Sequence, residues 1–221
     1  MLPATRRLGS LARGIASARS SLLGSLPIRA EFTTGPASGG QIDDELLCKL
    51  GSLSTQALID GLWVMGWPTA HIEGARPLAR GQKCCGRAVT LRMVPQRPDI
   101  GADKPGGVNS PEYEAFELCG PNEVLVISSV GPWESVGGDI KFLRLKQLGV
   151  GGLVTDGSVR DTDELLNYGF PTFSYSTAPK QGPAAMQPWE AQGAPRASAC
   201  GAHAGLHAFT RRGVTRCDQL W

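Results

Sequence analysis

Apolar and polar positions change period along the chain. Ile42-Asp43-Asp44-Glu45-Leu46-Leu47-Cys48-Lys49-Leu50 has apolar residues at helical spacing, with acids at its start where the helix dipole favours them. Ser54 is placed to cap a second helix running through Trp63. Around Arg87–Val94 the pattern turns to alternation, which predicts a strand. Ser110-Pro111-Glu112 reads as a helix start: cap, proline, acid.

The most regular block follows. Glu123–Val130 predicts a buried strand, Gly138–Leu148 a helix, Gly151–Thr155 a second buried strand, Asp161–Tyr168 a short helix and Pro171–Ser176 a strand. Strand–helix–strand–helix–strand implies parallel crossovers in an α/β sheet. Ligands of such sheets sit beyond the carboxyl ends of strands. That singles out two loops, Ser129–Asp139 and Asp156–Asp161.

Charge divides the chain into three. The net +2 conceals five arginines and no acid in residues 1–30, a −6 stretch over residues 31–191, and a basic stretch from residue 192 to the end. The first segment is rich in Arg, Ser, Ala and Leu, and its leucines can share one helix face. Residues 1–34 are therefore expected to be a mitochondrial transit segment, which imaging a reporter fusion would test; cytoplasmic residence is the alternative. Residues 35–41, with Gly35–Gly40, read as a linker, 42–191 as the folded α/β domain, and 192–221 as a divergent basic tail without regular structure. An acidic middle argues against a nucleic-acid partner. No apolar run reaches the roughly 20 residues of a membrane helix. The cysteines lack a CxxC pattern, so reduced thiols are expected.

Candidate chemistry lies in the two loops. Asp156, Arg160 and Asp161 follow a strand end. A guanidinium can grip a carboxylate through two hydrogen bonds, and a carboxylate can bind Mg²⁺ or Mn²⁺. The plain alternative is a helix-start Asp paired with a surface Arg. Gly137-Gly138-Asp139-Ile140-Lys141 opens a helix, where free N–H groups favour an anion. Asp139 can cap that helix or bring a second acid to a metal site. Neither GxGxxG nor GxxxxGK[ST] occurs, so this is not a nucleotide loop. In the tail, His203 and His207 stand at helical spacing, but no glutamate completes HExxH. Trp133, in the loop before Asp139, is a candidate to line the pocket.

Asp139 followed, after twenty residues, by Arg160-Asp161 resembles the signature of the RraA-like family. Leu53–Asp60, Gly86–Thr90 and Gly149–Asp161 support the resemblance, which spans roughly residues 42–190. The family includes 4-hydroxy-4-methyl-2-oxoglutarate aldolases, oxaloacetate decarboxylases and the regulator of ribonuclease E activity A.

The resemblance implies a compact αββα-type sandwich of the swivelling β/β/α kind, assembled as a trimer or hexamer with sites near subunit interfaces. It implies a divalent-metal-dependent lyase, an aldolase or decarboxylase acting on a small α-keto acid through a pyruvate enolate. Arg160 and Asp139 are then the catalytic residues and Asp161 the ligand of the Mg²⁺ or Mn²⁺ cofactor. Gly138, Asp139, Ile140, Lys141 and Arg160 bind substrate, and Asp139 contacts metal-bound water. A Schiff base on Lys141 or Lys146 is the rival route. The alternative functions are a non-catalytic regulator of the ribonuclease-inhibitor type and a truncated inactive member. The tail departs from the family's glycine-rich strands and acidic Gly-Asp turn, so the last strands of the sheet are expected to be missing.

Overall fold

A computed structural model of the protein describes residues 43–66, 71–192 and 214–217. The expected transit segment, the linker and the His203/His207 pair lie outside the described residues.

Two helices come first, α1 (Asp44–Ser52) and α2 (Thr55–Val64). Both start as expected. The Asp43 carboxylate accepts from Leu46 N–H at 2.7 Å, and Ser54 Oγ from Ala57 N–H at 3.2 Å. α1 buries Leu47, whereas α2 buries no residue and leaves Trp63 and Val64 exposed at 76% and 80%.

After a two-residue strand, β1 (Arg76–Pro77), the chain enters β2 (Cys84–Pro95), longer at both ends than the alternation predicts. A short helix, α3 (Pro98–Gly101), leads to α4 (Pro111–Glu117), whose Ser110 stands at the cap position without making a side-chain cap bond. The regular block then runs β3 (Glu123–Ser128), α5 (Asp139–Gln147), β4 (Leu153–Thr155), β5 (Ser158–Val159), α6 (Thr162–Asn167), β6 (Thr172–Ser174) and β7 (Ser176–Thr177). It ends in β8 (Met186–Ala191), and β9 (Val214–Cys217) lies in the tail.

The strands assemble in the order β1-β6-β4-β3-β2-β8, with β2, β3, β4 and β6 parallel, as the crossovers require. β1 and β8 add antiparallel edges. The predicted strand over Pro171–Ser176 is broken into two: β6 stays in this sheet, and β7 pairs with β5 in a separate two-stranded sheet.

Alternation along β3 buries both faces. Leu125 and Ile127 join Phe116, Phe142, Leu145 and Leu165 from α4, α5 and α6 in the larger core. Val124 and Val126 point the other way, into a smaller core with Val154 and Phe173. The protein is thus a mixed α/β fold with a central sheet and helices.

Two strands toward the C-terminal end extend the sheet beyond the parallel block. β8 pairs with Leu91–Pro95 of β2, and β9 with Cys84–Arg87. The twelve residues of β2 offer room for two successive partners on one edge. β8 is hard to read because Pro188 interrupts its pattern. The proline is tolerated on an edge strand and sits opposite Met93 where the register shifts.

Candidate functional site

The two loops singled out by topology meet beyond the strand ends. Val136 N–H donates to Ser158 O at 2.9 Å, Ser158 N–H to Glu134 O at 3.0 Å, and Arg160 N–H to Gly137 O at 3.0 Å. This short ladder sets the start of α5 beside Arg160-Asp161, though they are more than twenty residues apart in sequence. Glycine makes the approach possible. A Cβ on Gly138 would collide with Asp161 Oδ2 and come within 2.7 Å of Arg160 Cγ.

Asp161 has left-handed backbone, φ 54° and ψ 45°. For a non-glycine residue that conformation costs about 1–2 kcal/mol, least for Asp or Asn. It precedes α6, yet its carboxylate makes no cap bond to that helix. Oδ2 instead accepts from Asp139 N–H at 3.2 Å and Arg160 Nε at 3.2 Å. Oδ1 makes no hydrogen bond among the described residues, nor does either Nη of Arg160. The plain alternative, an Asp–Arg surface pair, is therefore only half realised: one edge of each group is engaged.

Asp139 is the first residue of α5 and Gly138 is its cap, so Asp139 does not cap the helix. The N–H groups of this first turn lack intrahelical partners, as at any helix start. Asp156, the third candidate of its loop, is buried and structural: Oδ1 accepts from Ser129 N–H at 2.6 Å.

A cleft of about 680 Å³ collects Gly138, Asp139, Ile140, Lys141, Arg160 and Asp161, the residues to which the family resemblance gives roles. It also contains residues the sequence did not single out for the site. Glu112 of α4, only 6% exposed, takes Lys141 Nζ at 2.7 Å on each carboxylate oxygen. Glu164 of α6, Gln96 and Gln187 line the same space. Trp133 does not; it packs edge-on against Tyr175, ring centroids 5.7 Å apart, which corrects the expectation that it lines the pocket. Lys146 turns to the Tyr168 carbonyl and is absent from the cleft wall.

Tyr168 ties the site to α6. Its hydroxyl donates to Asp139 O at 3.2 Å, and its pKa is pushed up to about 12, first by burial and then by the charges of Asp139, Asp161 and Glu164. The phenol thus reports a negative field shared by three carboxylates. Burial and negative neighbours both disfavour the phenolate, so the folded pKa lies above the ordinary 10.0. Stability from this group is complete below pH about 10 and is lost as pH rises toward 12. Thermal melts from pH 9 to 12 should show a steeper fall for the wild type than for Tyr168→Phe; parallel curves would refute the assignment. At neutral pH the Phe variant should lose about 0.5–1.5 kcal/mol, one hydrogen bond.

The donor chemistry suits a hard cation. Among the described residues no three His, Cys, Asp or Glu side chains gather to hold an ion by themselves. Mg²⁺ commonly takes one or two carboxylates and completes its octahedron with water and substrate. Asp161, with one oxygen uncommitted, is compatible with such an open arrangement.

Comparison with known proteins agrees with the fold. The RraA-like family model, described as Aldolase/RraA, matches residues 55–193. The structure resembles Streptomyces coelicolor RraAS2, an unusual member of the RNase ES inhibitor RraA protein family. Identity is 25% and the TM-score 0.67, over 80% of this chain and 83% of that one. An uncharacterized protein from Pseudomonas syringae has the same fold, at 22% identity and a TM-score of 0.67 over 84% and 78% of the two chains.

Proposed function

The chain belongs to the RraA-like family, and on that premise we propose that it is a divalent-metal-dependent lyase cleaving a carbon–carbon bond next to a pyruvyl unit. The family holds both aldolases or decarboxylases and ribonuclease inhibitors. One observation carries the enzyme reading: Asp161 and Arg160 each keep an uncommitted edge in the cleft that also receives the start of α5.

The substrates that fit are 4-hydroxy-4-methyl-2-oxoglutarate, by retro-aldol cleavage, and oxaloacetate, by decarboxylation. Both leave an electron pair on a pyruvyl fragment as its enolate. The Nη groups of Arg160 grip the carboxylate of the 2-oxo acid as a fork and fix its orientation. The N–H groups at the start of α5 beyond that of Asp139 lie at the helix N-terminus, where negative charge is favoured, and meet the developing oxyanion. The Asp139 carboxylate takes the proton of the substrate hydroxyl in the retro-aldol direction and returns a proton to the enolate carbon. Asp161 would hold Mg²⁺ or Mn²⁺, which when bound would supply Lewis-acid stabilisation of charge on the ketone oxygen.

The Schiff-base route is disfavoured by geometry. Lys141 Nζ donates to both oxygens of Glu112, and a nucleophilic lysine would have to leave that carboxylate. Pyruvate release from either substrate that stops on chelation is the test of the metal route.

RraA-like proteins are typically oligomers, and we propose a trimer or hexamer here. Exposed Trp63, Val64 and Met65 at the end of α2 supply an apolar contact. Trp63→Glu should then sediment as a smaller species than the wild type. An unchanged sedimentation coefficient would exclude α2 from the interface.

A further inference from the structure

Two cysteines meet away from the cleft, where α1 packs on β2. Successive residues of a strand face opposite sides of its sheet. Cys84 points into the smaller core, so Cys85 points to the other side. Cys85 Sγ lies 3.9 Å from the Leu47 carbonyl oxygen of α1. That oxygen belongs to the planar peptide group that ends at Cys48 Cα, which puts the sulfur within about 7 Å of that atom. Gly51 neighbours Cys48 on the helix surface, three residues on. A Cβ there would touch Cys85 Sγ at 3.9 Å, so the glycine leaves this flank of α1 open beside the thiol. The two thiols differ in access: Cys48 is exposed and Cys85 half-buried. The helix above them is lightly held. It buries only Leu47, and its Asp44 pairs with Arg87, two residues beyond Cys85, at 2.6 Å. Cys119 is the contrast. It is buried, its Sγ donates to Ala115 O at 3.2 Å, and burial first, then the charge of Glu123, pushes its pKa up to about 12. A thiol of that kind is inert.

We propose that Cys48 and Cys85 form a thiol–disulfide modification site that staples α1 to β2, with a low-molecular-weight disulfide such as oxidised glutathione as the oxidant. The Cys48 thiolate attacks one sulfur of that disulfide. An S–S bond forms to Cys48, the original S–S bond breaks, and one glutathione leaves as its thiolate. The Cys85 thiolate then attacks Cys48 Sγ and displaces the second glutathione thiolate. The protons given up by the two protein thiols end on the two glutathione thiols. Two electrons pass from the protein thiols to one glutathione disulfide. The order follows from access: exposed Cys48 meets the reagent, and Cys85, half-buried against α1, meets Cys48. A disulfide needs Cα atoms within roughly 7 Å, which side-chain rotation and a small shift of the lightly held helix supply. The bridge closes the chain from Cys48 to Cys85 into a loop that contains α2. That helix buries none of its own residues, so the bridge ties the segment to the sheet in a way its packing does not.

The test uses the full chain, reduced, freed of reductant and treated with oxidised glutathione at mildly alkaline pH. Remaining thiols are blocked and the peptides mapped by mass spectrometry. The expected product is a Cys48–Cys85 linked peptide within one chain. The melting temperature should rise by about 5 °C or more and return on reduction with dithiothreitol. Cys85→Ser should stop at the glutathione adduct on Cys48, Cys48→Ser should leave Cys85 without adduct or bridge, and Cys84→Ser should still form the bridge. A wild type that stays reduced at both residues, keeps glutathione on Cys48, joins either residue to another cysteine, or links two chains through Cys48 overturns the proposal. So does a bridge that leaves the melting temperature unchanged, since α1 would then not be stapled. The mapping is made on the wild type and decides the matter even where a serine variant fails to fold. None of these results depends on the lyase reading.

Discussion

Asp161→Ala should lower divalent-dependent pyruvate release by at least about 10²-fold, the scale on which loss of one charge-stabilising group acts. In the proposed site Asp161 has three parts to play. Oδ2 receives the Asp139 N–H and the Arg160 Nε, which keeps the α5 start and the guanidinium in register. Oδ1 makes no hydrogen bond among the described residues and is the oxygen that would meet the proposed cation. The backbone accepts a left-handed conformation to put both there. Alanine removes the carboxylate and also suits that conformation poorly, so Asp161→Asn is the sharper companion. Asn tolerates the backbone and keeps the shape. It should fold like the wild type and still lose divalent dependence. An Asn variant with full metal-dependent activity would show that the ion is held elsewhere.

Gly138→Ala should cost about 10²-fold in kcat/KM while the melting temperature moves little. The added methyl would occupy the space of Asp161 Oδ2 and press on Arg160 Cγ. The side chains, being partly exposed, can swing away, so the fold survives and the site does not. Displacement of reacting groups by about 1 Å is enough for a loss of this size. Gly137→Ala is the control in the opposite sense. Its methyl would lie 2.8 Å from Phe142, which is fully buried in the larger core, so it should lower stability. Kinetics and thermal melts of the two variants side by side check the pair. Equal activity in Gly138→Ala and wild type would contradict the close approach of the two loops.

Local pattern carried much of this protein. The block from β3 to β6 is readable because its strands are short apolar runs and its helices keep a helical period, so the crossovers and the two ligand loops follow. Asp139, Arg160 and Asp161 were legible for the same reason: each stands next to a predicted element end. The other half of the cleft was not. Glu112 belongs to α4 and Gln187 to β8, and nothing in the spacing of either residue relates it to Lys141. Only packing of α4 on β8 does so. Pro188 and Glu190 interrupt the apolar pattern of β8. Tyr168 falls at the end of a predicted helix, but its bond to the Asp139 carbonyl depends on the way α5 and α6 pack together. Trp133 misled because proximity in sequence to Asp139 does not fix direction; the ring turns to Tyr175.

In the proposed reaction a divalent cation held by Asp161 and the guanidinium of Arg160 support cleavage beside a pyruvyl unit. The most direct measurement is a coupled pyruvate-release assay. Oxaloacetate and 4-hydroxy-4-methyl-2-oxoglutarate are run side by side, with and without chelator, followed by Mg²⁺ or Mn²⁺ addback. The expected result is pyruvate from at least one substrate, lost on chelation and restored by the ion. Pyruvate release that persists in chelator, or none from either substrate in the presence of the ion, would rule out the metal-dependent lyase.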